Sequence, residues 1–214
     1  MTITDLPFYI IEMFGLVAFS VSGTMTGLKY KLDLFGVMFI AVVTALGGGA
    51  IRDVIIGYVP PMMFRSYQYV LVSCVTALIL FLADWRLKGR FYAKELKIET
   101  VANIFDALGL GSFVAAGVQA GINAGYGGNG FFLVFLGMLT DVGGGVLRDL
   151  FVHRMPMVLV KHIYAVAALI GGCLYLILYR LGLDELPATA VEIAVVFAIR
   201  MLATKYRWNL PHAE

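Results

Sequence analysis

The fold class the sequence predicts is an all-α integral membrane protein with seven transmembrane helices: two inverted three-helix repeats followed by a seventh helix. Three observations predict it. The 214 residues are 61% hydrophobic and only 14% charged, with a mean hydropathy of +0.89, too little charge to keep a soluble domain of this size dissolved. Apolar stretches long enough to cross a bilayer, which takes about 20 residues each, follow one another almost end to end and form a single transmembrane domain over 1–214. Finally, GGGAIRDV at residues 47–54 returns as GGGVLRDL at residues 143–150, a repeat that defines the architecture.

Charged residues bound the spans. The first, near 7–27, lies between Asp5 and the pair Lys29 and Lys31. It lacks the basic, short-apolar, cleavage-site layout of a removed signal peptide, so it is read as a retained helix. The second, near 34–56, and the third, near 65–84, contain the uncharged runs 34–51 and 66–83. The long uncharged stretch 107–140 holds parts of the fourth and fifth spans, near 101–121 and 129–152, hinged at Gly125-Tyr126-Gly127-Gly128. The sixth is placed near 161–181. The seventh, near 186–204, carries Glu192 within it and Arg200 near its end.

Repeat one covers about 7–84 and repeat two about 101–181. Glu12, Gly15, Phe19 and Gly23 match Asp106, Gly109, Phe113 and Gly117 at an offset of 94. Thr44, Gly47–Gly49, Arg52, Asp53 and Pro60 match Thr140, Gly143–Gly145, Arg148, Asp149 and Pro156 at an offset of 96, and Arg65 aligns with Lys161. Three spans per repeat is an odd number, so the second copy inserts upside down. One side then receives Lys29, Lys31, Arg86, Lys88, Arg90, Lys94, Lys97, Arg154, Lys161, Lys205 and Arg207; the other receives Arg65 and Arg180. The positive-inside rule puts the basic side in the cytoplasm, the N-terminus outside and the C-terminus inside. The basic run from Arg86 to Lys97 reads first as a topology determinant, although it also suits anionic headgroups.

Glycine costs roughly 1 kcal/mol relative to alanine in a helix interior, so three in succession predict a local break or kink in spans two and five. Freed carbonyls at such breaks can coordinate a cation near the bilayer midplane. Arg52 and Arg148 are expensive within a membrane, about 2.5–3.5 kcal/mol on insertion scales, unless they pair with Asp53 and Asp149 or line a wet cavity. The alternative is that the glycines let helices approach closely and the Arg-Asp pairs end them. Of the remaining intramembrane acids, Glu12 and Asp106 occupy equivalent positions and serve either function or interhelical hydrogen bonding. Asp141 lies about two turns before Arg148 on the same helical face, has Ala45 as its counterpart, and is a further candidate, as is Glu192. Gly23-x-x-x-Gly27 and Gly117-x-x-x-Gly121-x-x-x-Gly125 read as packing motifs.

Cys74 and Cys173 read as packing residues, and His153, His162 and His212 form no zinc pattern. No cofactor motif, phosphate loop or nucleophile–base pairing is present, so neither an enzyme nor a nucleic-acid binder is expected.

The doubled GGGxxRD element, the three-plus-three-plus-one layout and the length resemble the bacterial branch of the trimeric intracellular cation (TRIC) channel family, which overlaps the UPF0126 group with its glycine-transporter domain. The resemblance covers about residues 7–204. It implies a homotrimer in the cytoplasmic (inner) membrane with one pore per protomer, running between the repeats and passing monovalent cations, potassium foremost, with sodium possible. On that resemblance the pore or gate falls on Thr44, Gly47–Gly49, Arg52 and Asp53, on Thr140, Asp141, Gly143–Gly145, Arg148 and Asp149, with Glu12 and Asp106 beside them. Animal members carry a basic lipid-binding motif near the span-two glycines; this chain has no lysine there, so inositol-lipid regulation does not carry over. Two other readings stay open: a secondary transporter of a small solute such as glycine or another amino acid, which inverted repeats fit equally well, and a membrane scaffold, which repeated intramembrane charge disfavours.

Overall fold

The computed structural model describes residues 5–87, 95–160, 163–206 and 208, and among these every regular element is helical. In chain order they are α1 (Asp5–Lys29), α2 (Leu34–Ile55), the short α3 (Met62–Arg65), α4 (Tyr67–Arg86), α5 (Glu95–Gly121), which runs into a π-turn at Ile122–Tyr126, α6 (Gly130–Phe151), the short α7 (Met157–Val160), α8 (Tyr164–Arg180) and α9 (Glu185–Tyr206). Six are long and apolar enough to cross a membrane: Tyr9–Lys29, Leu34–Ile55, Tyr67–Arg86, Thr100–Tyr126, Gly130–Phe151 and Glu185–Tyr206. The apolar α8, at 17 residues, is shorter than the sixth span expected over 161–181. The loop cations Lys88, Arg90 and Lys94, together with Lys161, His162, Arg207 and His212, lie outside the described residues.

Local chemistry sets the helix ends, and it does so alike in the two halves. Asp33 caps α2 by accepting from Gly36 N at 2.7 Å, and Asn129 caps α6 by accepting from Phe132 N at 3.1 Å, each satisfying an amide that the first turn leaves unpaired. After α2 the chain turns at Gly57 with φ 78°, and after α6 at His153 with φ 52°. The expected hinge after α5 is built on Gly125, whose φ of 91° takes the chain out of the helix. A Cβ there would meet nothing within 4 Å, so Gly125 serves the turn and not the packing expected of it.

Polar residues are buried among an apolar core, and the outward helix faces are apolar as well. Ser20, Ser22, Thr24, Thr44 and Thr140 are buried, whereas Phe35, Phe39, Leu71, Val75 and Ile79 are exposed on α2 and α4. Hydrocarbon gives apolar side chains no reason to cluster, so association depends on close packing and interhelical polar contacts. α1 and α5 pack together at the centre, α2 crosses α6, α4 leans on α1 and α2, α8 on α5 and α6, and α9 on α5 and α8. Phe19 meets its counterpart Phe113 with ring centroids 5.0 Å apart. Gly23 and Gly27 seat α1 on α2, and Gly117 and Gly121 seat α5 on α6. Cys74 is half-buried, but Cys173 is exposed on the outward face of α8, so it is not the packing residue expected.

The expected breaks at the glycine triplets are absent. Both α2 and α6 remain α-helical through Gly47–Gly49 and Gly143–Gly145, so no carbonyl is released there. An unpaired backbone group in hydrocarbon costs several kcal/mol, more than the roughly 1 kcal/mol penalty per glycine, and the helix persists. The glycines set the helix crossing instead. A Cβ on Gly48 would collide with the carbonyl oxygen of Thr140, and one on Gly144 with the carbonyl oxygen of Thr44. A Cβ on Gly143 would stand 3.0 Å from the Cα of Gly48, and one on Gly47 would stand 2.7 Å from Leu147 Cδ1.

Candidate functional site

Two half-sites lie one helical turn beyond the crossing, at the C-terminal ends of α2 and α6. The third glycine of each triplet opens room for the arginine three residues later: a Cβ on Gly49 would approach only Arg52, and one on Gly145 would meet Tyr164 Oη at 3.6 Å and Arg148 Nη2 at 3.7 Å.

In the first half-site Arg52 donates from Nε at 2.9 Å and from Nη2 at 2.7 Å to Asp53 Oδ1. Asp53 Oδ2 accepts from the Met62 amide at 2.8 Å, so one carboxylate neutralises the arginine and caps α3. Glu12 accepts from Tyr69 Oη at 3.0 Å. A vestibule of about 510 Å³ opens beside this group, with Glu12, Arg52, Asp53, Tyr58, Gln119 and Asn123 supplying its polar wall. Below it a pocket of about 40 Å³ shares Glu12, Arg52 and Asp53 and reaches Gly49 and Thr140.

The second half-site repeats the motif and is sealed. Arg148 Nε donates to Asp149 Oδ1 at 2.9 Å, and Asp149 Oδ2 accepts from the Met157 amide at 2.8 Å, capping α7. Here the arginine makes two further contacts, from Nη1 to Asp106 Oδ1 at 3.0 Å and to Ser22 Oγ at 2.9 Å, while Ser22 Oγ donates to Asp106 Oδ1 at 3.2 Å. Arg148 is 2% exposed, against 9% for Arg52, so the second guanidinium is enclosed more fully and the first borders the vestibule. The crevice lined by Gly145, Arg148, Asp149, Met157 and Tyr164 has no volume that a water molecule could fill. Behind it stand Arg200 of α9, with Nη2 3.7 Å from Asp106 Oδ2 and its guanidinium 4.2 Å from the centre of the Tyr164 ring, and Asp141, fully buried and without a hydrogen-bond partner among the described residues.

The structure therefore divides the predicted residues. Arg52, Asp53, Glu12, Gly49 and Thr140 meet at the vestibule and its lower pocket. Arg148, Asp149, Asp106 and Gly145 form the sealed half-site, with Asp141 within electrostatic range of Asp106 and Arg148. Gly47, Gly48, Gly143 and Gly144 belong to the crossing. Thr44, which donates to its own-helix carbonyl Ile40 O at 2.6 Å, lies there too and not in the vestibule wall. Thr140 does the same to Leu136 O at 2.6 Å. Sequence reasoning missed Tyr69, which bonds Glu12, and Tyr164, which stands beside Arg200, and also Ser22, Gln119 and Asn123, which no spacing marks.

Asp149 has a measurable structural part. Asp149→Ala removes one carboxylate from a buried arginine and the cap from α7, and is expected to destabilise the folded protein by about 3 kcal/mol or more. A thermal melt in detergent checks this; an unchanged transition would show that Asp106 alone holds Arg148.

Comparisons with known proteins identify the family and the fold. The family model described as glycine transporter matches twice, over residues 9–85 and 103–180. A UPF0126 membrane protein of Vibrio cholerae is 32% identical over 203 residues, covering 95% of this chain and 81% of that protein. The UPF0126 inner membrane protein YadS of Escherichia coli is 31% identical over 212 residues, covering 95% and 94%. A structure solved to explain conductance through TRIC cation channels superposes with a TM-score of 0.82 at 32% identity, covering 97% of each chain.

Proposed function

Since the chain belongs to the glycine-transporter (UPF0126) family of membrane proteins, with TRIC channels among its structural relatives, we propose that it is a cation channel of the cytoplasmic membrane, passing monovalent cations with potassium foremost. On this reading seven helices span the bilayer, α8 included, as two inverted triplets plus α9. The N-terminus faces out, the C-terminus faces in, and three copies assemble with a pore in each. The permeant ion is the substrate, and membrane lipid the surrounding partner.

One observation supports the proposal: the two half-sites are unequal. A vestibule and a smaller pocket border Glu12, Arg52 and Asp53, the smaller reaching Thr140, whereas the matching crevice at Arg148 holds no water-sized space. Ions enter from the Arg52 side, where Glu12 and Asp53 offset the arginine's charge. Arg148, held across the path by Asp149, Asp106 and Ser22, is the closing residue. Its withdrawal leaves the Asp149 carboxylate facing the path, a lining that favours cations over anions.

A planar-bilayer recording of the purified protein under a potassium chloride gradient tests this. Discrete steps reversing near the potassium potential are expected. The second reading, a transporter of a small zwitterion, draws on the opposed charges of Arg52 and Glu12 in the vestibule wall. Bilayers that stay silent with incorporated, folded protein, together with saturable amino-acid uptake and counterflow, would replace the channel with that transporter.

A further inference from the structure

The two half-sites differ at one joint. In the first, Tyr69 donates directly to Glu12 at 3.0 Å. In the second, the Tyr164 hydroxyl is buried without a hydrogen-bond partner among the described residues, and a residue from outside the two halves lies over its ring: Arg200 of α9, at 4.2 Å. Its Nη2 is 3.7 Å from Asp106 Oδ2, an ion pair too long for a hydrogen bond, and that oxygen and Arg200 Nε are both buried without a hydrogen-bond partner among the described residues. Asp106 thus has one oxygen fully engaged, by Arg148 at 3.0 Å, and the other facing a second arginine that has not closed on it.

We propose that Arg200 is a positioning residue for the Arg148 closure: it competes for Asp106 and takes over that carboxylate when Arg148 withdraws. The proposal rests on the channel reading above, with Arg148 as the closing residue. Two buried arginines sharing one acid repel each other, and in a low-dielectric interior this repulsion is strong. Release of Arg148 would otherwise strand Asp106 as a buried, unpaired charge beside Asp141, a heavy penalty. Arg200 removes that penalty by closing a gap of less than 1 Å to bonding distance. The seventh helix, which has no partner in either repeat, thereby makes the two half-sites unequal and one of them able to open. The sign follows: with Arg200 neutralised, Asp106 holds Arg148 more tightly and the closed state gains.

The test is single-channel recording of the full-length purified protein. Arg200→Gln is expected to lower open probability by roughly fivefold or more, the size of an ordinary coupling between sites. Arg200→Lys, which keeps the charge, is expected to restore most of that loss, and in an Asp106→Asn background Arg200→Gln should have no further effect. A merely structural arginine would act the other way, since loosened packing at the seal raises the leak. Unchanged or raised open probability in Arg200→Gln overturns the proposal, as does a fall in Arg200→Lys equal to that of the glutamine variant. Should Arg200→Gln not fold, Arg200→Lys decides alone: near wild-type opening supports the shared carboxylate, and a rise or a marked fall overturns it. Arg148→Ala in the same recordings separates the two claims. If it leaves opening unchanged, the closing role of Arg148 fails; if it raises opening while Arg200→Gln does not lower it, only the role of Arg200 fails.

Discussion

Arg148→Ala is expected to hold the channel open. On the channel reading the side chain removed is the closing residue, and it takes with it hydrogen bonds to Asp149, Asp106 and Ser22. Breaking a buried ion pair from one side costs about 3–5 kcal/mol, because the remaining acids are left uncompensated. Here that penalty falls mainly on the closed state, since opening admits water and cations to Asp149 and leaves Asp106 to Arg200. A shift of about 3 kcal/mol changes an open–closed ratio on the order of 100-fold. Open probability in the bilayer should rise accordingly, with cation selectivity kept or sharpened by the exposed Asp149 carboxylate. Arg148→Lys should be intermediate, because an ammonium is a point charge without the planar fork that engages Asp149 and Asp106 together. Folded Arg148→Ala protein with wild-type flux would refute the gate.

Gly48→Ala and Gly144→Ala are expected to disrupt the fold itself. Each added methyl collides with a backbone carbonyl of the facing helix, Thr140 in one case and Thr44 in the other, and a carbonyl within a helix cannot swing aside as a side chain can. The helices must separate, at the upper end of the about 1–3 kcal/mol typical of overpacking or beyond it, with loss of the close contacts that hold helices together in lipid. Loss of the monodisperse species in detergent and a lowered melting transition are the expected signs. Gly49→Ala is the control within the same triplet: its nearest neighbour would be Arg52 Nη2 at 3.7 Å, so it should melt like the parent while narrowing the pocket above Thr140. If Gly48→Ala melts normally and alters only conduction, the crossing is not the reason for the triplet.

Most of the helices were legible because a bilayer imposes a length and an apolar composition on anything that crosses it. α2 and α6 lie within a residue or two of the expected 34–56 and 129–152. The short α3 and α7 were not legible, since four-residue helices have no periodicity to read; they exist because Asp53 and Asp149 cap them across a turn. The glycine triplets were found, and of the two readings offered, a break or kink and a close helix approach, the structure shows the close approach. Helix propensity ranks glycine by its behaviour in water, where a broken helix is rehydrated; in lipid it is not, and close approach is what three glycines provide.

Sequence alone determined that this chain is a membrane protein, that its two halves carry the same GGGxxRD element, and that Arg52, Asp53, Arg148 and Asp149 are the charged residues to explain. These follow from hydropathy, spacing and the high energy of charge in hydrocarbon, all readable one segment at a time. Only the tertiary structure decided which half is open and which is shut. That depends on Asp106 of α5 and Ser22 of α1 meeting Arg148 of α6, with Arg200 of α9 beside Asp106, side chains drawn from four helices. Nothing local encodes such a meeting: burial and pairing are properties of the assembled bundle, and two nearly identical motifs part ways only when their neighbours are in place.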